Sequence, residues 1–131
     1  MKFLESFARY QPTALAALRI IAALLFIEHG TQKLFDFPAS GHAGGALGGL
    51  FLVAALLESI GGLLVLIGLF TRPVAFILSG EMAIAYFMAH FPKSFFPIQN
   101  GGEAAIMFCF VFLYLVFAGS GAFALDNRRS S

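Results

Sequence analysis

Four apolar segments, each close to the length of a bilayer crossing, fill most of this 131-residue chain and leave it few ways to fold. They run from about Thr13 to Leu34, Leu50 to Phe70, Val74 to Phe91 and Glu103 to Phe123. A helix needs about 20 apolar residues to cross the hydrocarbon core. Pro12, the Arg72-Pro73 pair, the FPKSFFP stretch and Gly119-Ser120-Gly121 mark the segment ends, because proline and glycine terminate helices easily. Lipid offers no partner to an open backbone, so only helices or closed barrels span it, and these segments lack the alternation of barrel strands. The predicted fold is all-α: a polytopic membrane protein, a four-transmembrane-helix bundle, with residues 1–131 as one domain.

Composition sharpens the point by exclusion. The chain is 60% hydrophobic and 11% charged, where soluble chains are roughly 45–50% apolar and about 25% charged. Most soluble enzymes are thereby ruled out. A formal charge of +1 leaves no basic surface to neutralise a run of phosphates, so nucleic acid is not an expected partner. Cys109 is the single cysteine, which excludes an internal disulfide, a CxxC pair and a thiolate cluster within one copy. The charged start and apolar run at the N-terminus lack a small-x-small cleavage site in the right place, and a retained first span is expected there.

An even number of spans puts both termini and the second connection on one side. That side carries Lys2, Arg9, Arg72, Arg128 and Arg129, against Lys33 and Lys93 opposite. The positive-inside rule then predicts cytoplasmic termini, with the loop from Asp36 to Gly49 and the loop from Pro92 to Gly102 facing outward, the first glycine-rich and read as flexible. The ends of the first and third spans, FIEHGTQKLFDFP and FMAHFPKSFFP, share the order Phe, His, Lys, Pro. A parallel two-plus-two repeat would produce such an echo.

The few ionisable residues carry the functional information, because each is costly at membrane depth and tends to face the bundle interior or water. Depth sorts them into two layers. Glu28, His29, Lys33, Glu58, His90, Asn100 and Glu103 form a candidate polar cluster toward the outer face; Arg19, Arg72 and Asp126 form a candidate inner ion-pair cluster that clamps three helices; Glu81 is a mid-depth acid. At about 100° per residue, His29 and Lys33 share a face, and Glu58 shares one with Ala54, Gly61 and Gly62, the small residues of a helix contact. Glu81 and His90 fall on opposite sides of an ideal helix, so they meet in one site only if the helix unwinds before Pro92. Glu103 also suits the positive end of a helix dipole without any further role.

These residues resemble the DoxX family of small bacterial membrane proteins. The resemblance rests on His29-Gly30-x-x-Lys33-Leu34, on Glu58-x-x-Gly61-Gly62 leading to Gly68-x-x-Thr71-Arg72, on Asn100-Gly-Gly-Glu103, and on Gly119-x-Gly121 followed by Asp126. It implies a four-helix inner-membrane protein, with Arg19, His29, Gly30, Lys33, Glu58, Gly61, Gly62, Arg72, Glu103 and Asp126 at family positions; Glu28 and Glu81 lie outside the motif. It also implies a link to membrane oxidoreductase complexes, including a subunit of a thiosulfate:quinone oxidoreductase.

Three readings of the polar residues stay open. In the first, His29 and Lys33 donate to a quinone carbonyl while Glu58 carries protons; the bland counterpart is mutual pairing of these groups across helices. In the second, His29 and His90 ligate a haem or metal, though no intrinsic cofactor motif is evident and the Glu-x-x-His signature of di-metal bundles is lacking. In the third, the chain is a non-enzymatic transport or scaffold protein, with Lys33 and Arg72 attracting a small anion. The expected partners are the lipid bilayer, an oxidoreductase subunit and a further copy of the chain. Because no side chain here carries electrons by itself, catalysis is expected only within a quinone-linked complex.

Overall fold

A computed structural model describes residues 1–39 and 48–129, apart from the Arg129 side chain, and these residues contain only helices and connections. The glycine-rich loop expected before Gly49 lies mostly outside the described residues. Helix α1 spans Lys2–Phe35, α2 Gly49–Ile67 and α3 Thr71–Lys93; these three are long and apolar enough to cross a membrane. A four-residue α4, Pro97–Asn100, precedes α5, Glu103–Ala118, which is apolar but shorter, and a terminal turn α6 covers Asp126–Arg129.

The helix ends follow local chemistry. Pro12 is accepted in α1 because it sits near the start of the regular α-helical part, beyond a 3-10 turn at Ser6–Tyr10. Asp36 ends α1 in the left-handed conformation that a short polar side chain tolerates. The second helix stops at Ile67, earlier than the Phe70 expected, because Gly68 turns left-handed and the amide of Leu69 bonds back to the carbonyl of Leu64. The last apolar helix stops at Ala118 rather than Phe123. Residues 119–125 fold back instead: Ala122 N–H reaches Pro12 O at 3.0 Å, Leu125 N–H reaches Ile67 O at 3.1 Å and Asp126 N–H reaches Gly68 O at 2.8 Å. Those bonds hold the C-terminal segment against Pro12 of α1 and against the α2–α3 turn.

Packing is pairwise, α1 along α2 and α3 along α5. Close approach of the first pair depends on small residues. A Cβ at Gly30 would collide with Ser59 Oγ and lie 2.7 Å from the Ser59 nitrogen. The core holds Ala23, Phe26, Val65, Ala75, Leu78, Phe112 and Leu115, all fully buried, with Phe26 edge-on to Phe112 at 4.9 Å between centroids. Other phenylalanines, among them Phe76, Phe87, Phe110 and Phe117, point outward as a lipid-facing surface would require. The apolar core separates two polar ends.

Candidate functional site

At the end carrying the termini, Arg19 is fully buried. Its guanidinium donates to the carbonyls of Ser120, Ala122 (3.0 Å) and Phe123 (2.8 Å), and reaches that of Leu66 at 3.5 Å. Arg72 donates to the carbonyls of Val116 (2.9 Å) and Phe117 (2.8 Å), which end α5. The Asp126 carboxylate accepts from the amides of Phe70 (2.7 Å) and Thr71 (2.9 Å) and from the Ser120 hydroxyl (2.8 Å). Burial opposes ionisation of Asp126, but the hydrogen bonds from Thr71, Ser120 and Phe70 outweigh it together and hold the carboxyl below its ordinary range.

The inner cluster is thus one assembly, and the expected pairing within it needs correction. Arg19 and Arg72 are joined to Asp126 through the backbone of residues 116–126, not by direct guanidinium–carboxylate bridges. Helix ends and turns leave carbonyls and amides without helical partners, and these groups take up the charged side chains. Gly121 makes the fold-back possible: its φ is +73°, and a Cβ there would lie 2.7 Å from Pro12 O. Thr71 and Ser120, whose hydroxyls bond at 2.7 Å, are uncharged members of the cluster; the Gly68-x-x-Thr71-Arg72 and Gly119-x-Gly121 motifs are their signals in the sequence.

The opposite end is built differently. Lys33 Nζ meets Glu58 Oε1 at 2.5 Å, joining α1 to α2, and Glu58 is 1% exposed. His29, Lys33, Glu58 and His90 line one cavity of about 220 Å3, with Met82, Ala105 and Phe108 among its apolar walls. The ring of His29 stands edge-on to Phe108 at 5.6 Å. The carboxyl of Glu81 abuts that of Glu58. Both Glu81 oxygens are buried, and no donor reaches either in hydrogen-bonding geometry.

Local helix geometry explains this convergence. Leu57–Gly61 and Tyr86–His90 are single π-helical turns inside α2 and α3. A wider turn shifts the phase of everything beyond it, and such bulges recur at functional sites. The second one lets His90 line the cavity although Glu81, nine residues earlier, approaches the same cluster through Glu58. An ideal helix forbids that arrangement; the widened turn before Pro92 supplies the unwinding it requires.

Three members of the expected outer cluster stand apart. Glu28 and Glu103 are exposed and do not line the cavity. Asn100 is buried but serves the chain: its Nδ2 donates to Tyr86 Oη and to Ser94 O, both at 3.0 Å, and its Oδ1 accepts the amide of Gly102 at 2.8 Å. Its carbonyl oxygen lies 3.2 Å from His90 Nδ1. A hydrogen bond there needs the proton on Nδ1 and leaves His90 Nε2 as an acceptor. Sequence reasoning missed Phe108 as the cavity wall, because nothing distinguishes it from sixteen other phenylalanines among the seventeen present. Among the described residues, no three His, Cys, Asp or Glu side chains are placed to hold a metal ion.

The geometry can be set beside known proteins. The model of the DoxX family matches residues 14–91. The chain belongs to the DoxX family. An uncharacterized protein of Haemophilus influenzae is 50% identical over 130 residues, covering 95% of this chain and 97% of that protein. No solved structure matches this DoxX chain. The matched region contains Arg19, His29, Lys33, Glu58, Glu81 and His90, so the cavity's titratable lining lies wholly within the DoxX match.

Proposed function

We propose that this DoxX protein is a multi-pass protein of the bacterial cytoplasmic membrane, with four crossing helices and both termini in the cytoplasm. It acts as an accessory subunit of quinone-linked redox chemistry. Helix α5 is about 24 Å long at 1.5 Å per residue, short of a hydrocarbon core of about 30 Å. The fold-back of residues 119–125 makes up the remaining depth. Irregular backbone is tolerated there only when its polar groups are satisfied inside the protein, as Arg19 does for Ser120, Ala122 and Phe123.

The single observation supporting the redox reading is the convergence of His29, Lys33, Glu58 and His90 on one cavity walled by Phe108. Its volume, about 220 Å3, is below the roughly 300–1,000 Å3 of pockets for drug-sized ligands. A single-ring quinone headgroup suits that space, with its isoprenoid tail left in lipid. Lys33 and His29 offer donors to the ring oxygens, and Glu58 and His90 offer proton acceptors and donors at the wall. Electrons come from a partner subunit, because no residue of this chain carries them.

Titration of the purified protein in lipid nanodiscs with a short-tailed ubiquinone tests the reading. Saturable binding is expected, weakened about tenfold in His29→Ala, which corresponds to about 1.4 kcal/mol. Absence of binding by the wild-type protein, or equal binding by His29→Ala and Lys33→Met, overturns it.

A further inference from the structure

The Lys33–Glu58–Glu81 group contains two carboxyls and one ammonium in a buried setting. Glu58 has its partner in Lys33 at 2.5 Å. Glu81 abuts Glu58 yet receives no donor at either oxygen. The other titratable groups near this cluster are His29 on α1 and His90 on α3, both facing the cavity, and Cys109 on α5, whose carbonyl accepts the Ser79 hydroxyl at 2.8 Å. None of them supplies a second permanent positive charge. Two ionised carboxylates in contact would repel, whereas one proton between them converts the contact into a hydrogen bond and leaves one negative charge for Lys33.

We propose that Glu58 and Glu81 share one exchangeable proton, and that Glu81 is the store from which the cavity is supplied. Glu58 lines the cavity and Glu81 does not, so transfer runs in one order. The shared proton first passes from Glu81 to Glu58, an O–H bond at Glu81 breaking as one forms at Glu58; Glu58 then gives that proton to an oxygen of the cavity's ligand; and Glu81 later regains a proton from water. Each step breaks one O–H bond and makes another, with no change in electron count. Only the identity of the acceptor rests on the quinone reading. Glu81 is therefore a positioning and relay residue, acting through Glu58.

Infrared spectroscopy of the ligand-free protein in nanodiscs at pH 7 tests the store directly. The wild-type protein should show the C=O stretch of one protonated carboxyl, displaced in D2O. Glu81→Gln and Glu58→Gln should each lose the band, since either leaves one carboxylate facing one ammonium, and Glu81→Asp should restore it. Lys33→Met should double the band, because two carboxyls without an ammonium hold two protons. Absence of the band in the wild-type protein, or a band unchanged in Glu81→Gln, overturns the proposal. The measurement needs no quinone, so a failure of the store and a failure of quinone binding are told apart. Should Lys33→Met not fold, the Gln and Asp variants decide the matter alone.

Discussion

The two polar ends of this molecule use similar side chains for opposite ends of the energy balance. Beside the termini, Arg19, Arg72 and Asp126 bond to backbone groups that helix ends and turns leave open. At the other end, Lys33 and Glu58 bond to each other, and the adjacent Glu81 receives no donor. The first pattern completes a fold, because it supplies partners to backbone groups that helix ends and turns leave open. The second leaves proton sites incompletely matched beside a cavity. Charge type alone does not separate the two groups; the kind of partner does.

The largest test of this contrast is Arg19→Met. It deprives the carbonyls of Ser120, Ala122 and Phe123 of their buried donor, and the expected loss of stability is about 3–5 kcal/mol. Thermal unfolding in detergent measures it. Unchanged stability would show that the fold-back satisfies itself and that the two ends do not differ as argued.

Asp126→Asn should come next, at about 1–2 kcal/mol, the range of a lost helix cap. Its pH dependence adds a sign. The folded carboxyl titrates below its ordinary value, so the stabilisation is complete above the unfolded value near about 3.9 and disappears as pH falls through the lower folded value. The wild-type protein should lose stability over that acid range more steeply than Asp126→Asn. Parallel unfolding curves in acid would contradict the hydrogen-bonded carboxylate.

At the cavity end the order of effects reverses. His29 is exposed, so His29→Ala should shift unfolding by less than about 0.5 kcal/mol, as surface substitutions do, while weakening the proposed quinone binding about tenfold, or about 1.4 kcal/mol. A large stability loss with unaltered binding would move His29 to the structural class.

How far the sequence reveals all this differs between fold and site. Apolar runs and their Pro and Gly punctuation locate the helices, because burial in lipid leaves a mark on every residue of a span. That His29 and Lys33 share a face, at a depth similar to that of Glu58, follows from helical periodicity and depth. The role of Arg19 does not, since its partners are carbonyls, and every residue type has one. His90 is likewise beyond reach of an ideal-helix projection, because the π-helical turn at Tyr86–His90 changes the phase at which the helix presents it. Glu28 and Glu103 share the depth and charge of the cavity residues but point elsewhere, which periodicity within one helix cannot tell without a second helix to face.

Glu103 supplies the smallest effect and the most discriminating one. It shares the expected depth and the charge type of the cavity residues, so charge and depth alone would assign it to the cavity. The structure places it exposed in the first turn of α5, after a Gly102 amide already bonded to Asn100. Its only evident electrostatic role is with the positive end of that helix, worth about 0.3–1 kcal/mol. Glu103→Gln should therefore lower stability by that amount at most and leave ubiquinone titration superimposable on the wild type. If binding weakens as much as in His29→Ala, the field at the cavity mouth extends to exposed charges, and the boundary between the two kinds of polar end must be drawn by distance rather than by partner.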